Sequence, residues 1–268
     1  MVHSGIKLLG AMSKETFIVI PCFNESLRLN DHYLSSLVVP PGVKLILVDD
    51  GSTDGTRAKL QALAHRYSAQ ISVLPLNQNV GKGEAVRRGM QAALKQEPAV
   101  IGYADSDGAT PASECLRLLD NLQRAPETTV AVFGSRVKRL GADIRRTAWR
   151  HYSGRVFATA ASKVLSLSAY DTQCGAKFFR HTAAFRHAVE NPFCSRWLFD
   201  VELIGRIALG IRASGGNPDG DLLEIPLRVW HDVQGSKRRP WDYGRAIVDL
   251  FRIMKNLAQE RVRLQLKA

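Results

Sequence analysis

Four short apolar runs, each ending in a polar cluster and separated by amphipathic stretches, constrain this chain more than any other feature. FIVIP (17–21), KLILVDD (44–50), ISVLPL (71–76) and VIGYAD (100–105) are strand-length and rich in β-branched residues. Between them, RAKLQALAHRYS (57–68) and GEAVRRGMQAALKQ (83–96) carry apolar residues at helical spacing. Alternation of this kind predicts an α/β fold, a mostly parallel central sheet flanked by helices, with right-handed crossovers. Ligands of such sheets bind beyond the carboxyl ends of the strands. The polar clusters sit there: Asn24 and Glu25 after the first run, Asp49 and Asp50 closing the second, Asn77 and Asn79 after the third, Asp105 and Asp107 after the fourth. Together they predict one site of nucleotide size.

The later sequence is less regular. TVAVFGSR (129–136) predicts a fifth strand ending in Ser135 and Arg136, and a basic amphipathic stretch covers 145–167. SRWLFDVELIGRIALG (195–210) predicts a helix behind a polar loop, LLEIPLRVW (222–230) a last strand, and 244–268 a long terminal helix. In that helix Ile247, Leu250, Phe251, Met254, Leu257 and Ala258 are expected to form one apolar stripe, serving core packing, dimerisation or lipid contact. No repeat or linker interrupts the chain. The expected organisation is an N-terminal extension (1–14), one domain (15–240) and a basic C-terminal helix (241–268).

Charge narrows the partners. The 268 residues hold 37 Lys+Arg against 25 Asp+Glu, a net +12. Residues 136–155 have seven basic residues and one acidic, residues 237–268 nine and three, and the remainder is neutral. The excess therefore suits a local anionic partner, a phosphate or an acidic membrane surface. Around Trp149, the residues Arg145, Arg146 and Arg150 fit an interfacial helix. The alternative there is a solvated surface helix with Trp149, Val156 and Phe157 in the core. No run of about 18 apolar residues without charge occurs, so no spanning helix is expected. Cys22, Cys115, Cys174 and Cys194 show no CxxC spacing, so neither a zinc cluster nor a disulfide framework is indicated, and a reducing cytoplasm is the simplest setting. Nucleic-acid binding would rest on net charge alone, with no basic–aromatic or helix-turn-helix signature.

Asp105-Ser106-Asp107 places two carboxylates one residue apart at a strand end, where they can share a hard divalent cation and, through it, a diphosphate. VDDGSTDGT (48–56) combines a turn and helix cap with more carboxylate than capping needs, so Asp49 or Asp50 is a candidate for a base edge or ribose hydroxyl. Gly81-Lys82-Gly83 opens a helix and can hold anionic groups by backbone N–H and ammonium, although it is not a P-loop.

The ordered series Pro21-x-x-Asn24-Glu25, Asp49-Asp50-Gly51-Ser52-x-Asp54, Asn79-x-Gly81-Lys82-Gly83 and Asp105-x-Asp107 resembles glycosyltransferase family 2, with its GT-A nucleotide-sugar fold. GSR (134–136), DTQCGAKFF (171–179), RWLFDVEL (196–203) and EIPLRVWHDVQGSK (224–237) resemble its dolichyl-phosphate β-glucosyltransferase branch, near the dolichyl-phosphate mannose synthases. The branch's usual GFK reads Gly175-Ala176-Lys177 here. The resemblance implies that Pro21, Asn24, Glu25, Asp49 and Asp50 hold nucleobase and ribose, with Asn79, Lys82 and Ser106 flanking the nucleotide. It implies Mg²⁺ or Mn²⁺ on Asp105 and Asp107, and Arg136 facing a donor or acceptor phosphate. Gln173, Asp200 and Glu202 would line the sugar and acceptor pocket, and Ser236 and Lys237 would ride a loop closing over phosphate. Relatives carry spanning anchors; their absence from this sequence predicts peripheral capture at the cytoplasmic face of a membrane by the two basic segments.

The implied reaction is inverting transfer of a hexose, glucose from UDP-glucose being favoured, to a polyprenyl-type phosphate. The cation, Arg136 and Lys237 would neutralise the leaving diphosphate. A phosphate acceptor is already ionised near neutral pH and needs positioning rather than a base. A hydroxyl acceptor would need one, and Asp200 is the candidate. GDP-mannose and UDP-N-acetylhexosamine are the alternative donors.

Overall fold

The computed structural model describes residues 15–145, 148–233 and 242–265. Strands β1 (Thr16–Cys22), β2 (Val43–Asp49), β3 (Ile71–Pro75) and β4 (Val100–Ala104) are parallel neighbours in the order β3-β2-β1-β4. Helices α1 (Asp31–Leu37), α2 (Thr56–Arg66) and α3 (Lys82–Leu94) make the crossovers between them. Beyond β4, helix α4 (Ala112–Arg124) leads to β5 (Ala131–Ser135). The sheet then departs from simple succession. β7 (Ala176–Arg180), from the second half of the chain, inserts antiparallel between β4 and β5, and β8 (Leu222–Pro226) adds parallel to β5. The seven-strand order is β3-β2-β1-β4-β7-β5-β8.

The continuous apolar runs of β1, β2 and β4 follow from burial on both faces. Ile18 and Ile20 of β1 face a core shared with α1, α2 and α4; Phe17 and Val19 face one built with α3, α6 (Ala183–Glu190) and α7 (Phe199–Ala213). A third cluster packs α7 against α5 (Ala148–Leu165) and α9 (Asp242–Gln265). The expected strand over 222–230 divides: after Pro226 the chain leaves the main sheet, and β9 (Val229–His231) pairs in parallel with β6 (Asp143–Arg145). The four-residue helix α8 (Pro218–Asp221) precedes β8.

The terminal helix also departs from expectation. Its buried row is Ile253 and Leu257, with Ala246, Leu250 and Leu264 partly buried beside them. Ile247, Phe251 and Met254, expected in the same stripe, face outward. No described helix is long and apolar enough to cross a membrane. The expected side-chain roles of Arg146, Trp149, Arg150 and Val156 lie outside the described side chains, as do Ser236 and Lys237. Phe157 packs partly buried on the third cluster.

Candidate active site

The loops after β1 and β2 are laced together before any ligand is considered. Asn24, held at φ +50°, accepts from the Thr53 backbone N at 2.9 Å and donates its own N–H to Ser52 Oγ at 3.1 Å. The Glu25 N–H donates to Thr56 Oγ1 at 2.8 Å, and Arg28 grips the Glu25 carboxylate through two nitrogens. Pro21 and Cys22 close β1, where Cys22 O accepts from Asp50 N at 2.8 Å. The two carboxylates that exceeded the needs of a cap have internal partners. Asp49 accepts from Arg57 Nε at 2.6 Å and from Ser52 N at 3.0 Å. Asp50 accepts from Val80 N at 2.7 Å, Gly81 N at 3.0 Å and Asn79 Nδ2 at 2.9 Å. Burial raises the Asp50 pKa, and the two backbone N–H groups oppose that shift. Asp50 is thus the post to which the Asn79–Gly81 loop is tied.

That loop aims Lys82. Gly81 has φ +94°, a conformation that glycine adopts without a Cβ penalty. Its missing Cβ also makes room for Arg196, whose Nε would lie 2.4 Å from it. Arg196 in turn donates to Asn79 Oδ1, and its carbonyl accepts from Gly83 N at 3.2 Å. From the first turn of α3, Lys82 Nζ reaches 2.6 Å from Asp105 Oδ1, which has no other polar partner among the described residues. Burial disfavours the Lys82 ammonium, but the charges of Asp105, Asp200 and Asp107 outweigh it and raise its pKa. The lysine therefore faces three carboxylates.

Asp105 is pinned from behind by β7's approach. Its N–H donates to Gly175 O at 3.0 Å, and a Cβ on Gly175 would stand 2.1 Å from Asp105 Oδ2. Asp107 Oδ1 accepts from Ala109 N at 3.0 Å; burial first and the Asp105 charge second raise its pKa. Ser106 is buried between them, against Cys22. Among the described residues no third carboxylate, His or Cys completes a cluster. Two hard carboxylates at one part-buried edge fit Mg²⁺ or Mn²⁺, cations that take their remaining ligands from phosphate and water.

Arg136 and Asp171 form a buried bidentate pair beside this edge. Arg136 Nε lies 2.7 Å from Asp171 Oδ2, Nη2 2.8 Å from Oδ1, and the Arg136 N–H donates to Oδ2 at 3.1 Å. Burial works against the guanidinium; Asp171 first and Asp105 among the further contributors raise its pKa. Arg136 thus has a carboxylate partner as well as any phosphate. Glu224 orders the same loop by accepting from Tyr170 N and Asp171 N, each at 2.6 Å. Gln173 donates its backbone N–H to Asp171 Oδ1 at 3.2 Å, and the Thr172 hydroxyl is buried with no hydrogen-bond partner among the described residues.

Behind Lys82 lies a second pair. Lys177, fully buried in β7, donates to Asp200 Oδ1 at 2.7 Å, Cys174 O at 2.6 Å and Tyr103 Oη at 2.9 Å, and the Tyr103 hydroxyl also donates to Asp200. Burial lowers the Lys177 pKa to about 7. Asp200, a candidate base from sequence, is therefore already gripped by a lysine and a tyrosine. Glu202, two residues on and so on another side of α7, does not join the cluster. It accepts from Arg206 Nη2 at 2.6 Å and Cys194 N at 2.8 Å.

The structure thus gathers Lys82, Asp105, Asp107, Arg136 and Asp200 at one edge, with Asn79 and Asp50 shaping the loop that presents Lys82. Sequence reasoning missed Tyr103, Asp171, Gly175, Lys177, Arg196 and Glu224. A lone Lys in the apolar run AKFF, and an Asp opening the motif DTQCG, were the signals available.

Residues 17–185 match the family model described as Glycosyl transferase family 2. The chain belongs to that family. It is 32% identical over 257 residues to a dolichyl-phosphate beta-glucosyltransferase of Drosophila melanogaster, covering 90% of this chain and 74% of the relative. It is 31% identical to the Mus musculus enzyme of the same name, covering 85% of this chain and 71% of the relative. Among solved structures, glucosyl-3-phosphoglycerate synthase from Mycobacterium tuberculosis, in complex with Mn²⁺, UDP and glucosyl-3-phosphoglycerate, superimposes with a TM-score of 0.64 at 18% identity, covering 91% of this chain and 81% of that one. That likeness establishes the GT-A architecture. These relationships place the chain in the polyprenyl-phosphate branch of the family as a glycosyltransferase.

Proposed function

We propose that this glycosyltransferase moves a hexose, glucose from UDP-glucose, to a polyprenyl-type phosphate with inversion, using Mg²⁺ or Mn²⁺ held by Asp105 and Asp107. The observation that carries it is the convergence of Lys82, Asp105 and Asp107 at the carboxyl edge of the sheet, where the β1, β2 and β3 loops also end. The named activity of the curated relatives and the UDP and Mn²⁺ of the structural neighbour support the donor and the metal.

A divalent cation bound to the acidic pair supplies charge neutralisation for the leaving diphosphate. This chain's own residues do the rest. Lys82 presents an ammonium at the same edge, and Asp50 fixes the loop that carries it. Arg136, oriented by Asp171, offers a fixed cation to a second phosphate. Asp200 Oδ1 is occupied by Lys177 and Tyr103, which favours an acceptor that arrives ionised over one that must lose a proton. A lipid-linked acceptor sets the reaction at a membrane surface, and we take that surface to be the cytoplasmic face.

The test is a donor screen with UDP-glucose, GDP-mannose and UDP-N-acetylglucosamine on a polyprenyl phosphate, with Mg²⁺, Mn²⁺ or chelator. Transfer from UDP-glucose, abolished by chelator, is the expected result. Absence of transfer and of donor hydrolysis with every sugar and both metals would overturn the proposal.

A further inference from the structure

Helix α9 has two apolar faces, and only one of them is covered. Inward, Ile253 and Leu257 are buried against α5 and α7; the fit is close, since a Cβ on Gly205 would stand 2.5 Å from Leu257 Cδ1. Outward, five of the nine large apolar side chains most exposed among the described residues lie on this one helix: Ile247, Val248, Phe251, Met254 and Val262. Ile247 and Phe251 are 62% and 63% exposed. Spacings of four, three, four and four place Ile247, Phe251, Met254, Ala258 and Val262 in one row along the helix. A contiguous row of this kind on an otherwise well-packed protein marks an interaction surface.

Charge selects the partner. At about 100° per residue, Lys255 borders the row on one side and Arg261 on the other. Neither has an ion-pair partner among the described residues. Arg252 and Arg263 lie further round. The acidic residues of α9 whose side chains are described turn inward: Asp249 accepts from Ser195 Oγ at 2.7 Å, and Glu260 pairs with His187 at 2.5 Å. The exposed row is therefore apolar with a cationic border and no acidic one. A second copy docked on it would set cation against cation, whereas anionic headgroups complement it and leave the apolar row among the acyl chains. The Ser195–Asp249 bond also ties the start of α9 to the loop that carries Arg196 and the 47% exposed Trp197, so the face begins beside the site.

We propose that the outer face of α9 is a docking surface for an anionic lipid bilayer, the helix lying in the plane of the headgroups. This deepens the proposed function by naming the surface that meets the membrane. Vesicles without any prenyl phosphate test it apart from the transfer reaction. The measurement is co-sedimentation with phosphatidylcholine vesicles, with and without phosphatidylglycerol, at low and high salt. Wild type binds the anionic vesicles, and salt weakens the binding. Phe251→Ser with Met254→Ser lowers partitioning at least about tenfold, and Lys255→Glu with Arg261→Glu does the same on anionic vesicles only. All four side chains are exposed, so both double variants keep the wild-type Tm and unchanged turnover on a short, water-soluble prenyl phosphate. Wild-type partitioning by the Phe251→Ser, Met254→Ser variant overturns the proposal. So does a lipid-independent wild-type dimer that this variant converts to monomer, which would make a second copy the occupant.

Discussion

Replacing Gly175 by alanine adds one methyl group, yet it should disable the acidic pair while the fold stands. The added carbon would lie 2.1 Å from Asp105 Oδ2, 2.3 Å from its Cγ and 2.7 Å from Oδ1. Non-bonded carbon and oxygen need roughly 3.3 Å, so the carboxylate must retreat by about 1 Å. The backbone has no slack to share the shift, because Asp105 N and Gly175 O are already joined at 3.0 Å. The Asp105 side chain is 32% exposed and can swing toward solvent, so the cost falls on geometry rather than stability. A misplacement of about 1 Å at a reacting centre costs about 100-fold in rate. Initial rates measured across a Mn²⁺ titration, with thermal unfolding in parallel, test this. Expected are a fall in kcat/KM for the donor of about 100-fold, a higher metal requirement, and a Tm within about 4 °C of wild type. Gly55→Ala, whose nearest contact would be an ordinary 3.8 Å to Ser26 Cβ, serves as the control that changes neither rate nor metal requirement. Wild-type rates and metal requirement in Gly175→Ala would refute the reasoning that β7 positions the acidic pair.

Three further outcomes follow from buried charges. Asp171→Ala strands the Arg136 guanidinium, whose side chain is 13% exposed, and should cost about 3–5 kcal/mol in urea-unfolding free energy. Asp200→Asn should lower stability, because the Lys177 ammonium loses its carboxylate, yet keep turnover on a phosphate acceptor within about tenfold. A loss of about 100-fold or more at the chemical step, with donor binding intact, would point to a hydroxyl acceptor and a base role instead. Glu114 grips Arg117 and accepts from Arg228 N, and these contacts prevail over burial to lower its pKa below 4.5. Because the unfolded chain takes up the proton first, this contribution is full above about pH 4.5 and is lost as pH falls through the folded value. The urea-midpoint difference between wild type and Glu114→Gln should therefore shrink between about pH 6 and pH 3.

β1, β2 and β4 were legible because their residues are buried on both faces, so each run stood out against its polar end; β3, the half-exposed edge strand, stood out by its short β-branched run. The second half was harder. β7 contains Lys177 in the middle of AKFFR, and a lysine reads as surface until Asp200 and Tyr103, far away in sequence, come to meet it. Helix α4 passed unmarked between β4 and β5. At the site, Asp105 and Asp107 follow β4 and Lys82 opens α3, the positions that the strand-end and helix-start patterns indicate. The partners of Arg136 and Asp200 could not be placed, since pairings across 35 and 23 residues leave no periodic trace. The loop-holding role of Asp49 and Asp50 was not legible, because the backbone N–H groups of Ser52, Val80 and Gly81 that engage them are invisible in side-chain spelling. In α9 two adjacent rows are both apolar, so periodicity merged them into one stripe and could not tell which row the core would take.

The antiparallel insertion of β7 has a consequence for how the molecule is assembled. β1, β2 and β3 lie close in sequence and can pair as they emerge, whereas β4 joins β1 across 84 residues and the strand that backs Asp105 joins β4 from more than 70 residues further downstream. Until β7 arrives, β4 is a sheet edge, and Asp105 lacks the carbonyl of Gly175 that fixes its backbone. Loop closures of that length delay both steps relative to the local β1–β2 and β2–β3 crossovers, and the β7 step also requires β4 to be in place. The acidic pair is thus completed late in folding, by a strand whose chain then continues through α6 into α7, which carries Asp200. A partly folded chain would hold its local crossovers before it held a complete acidic edge.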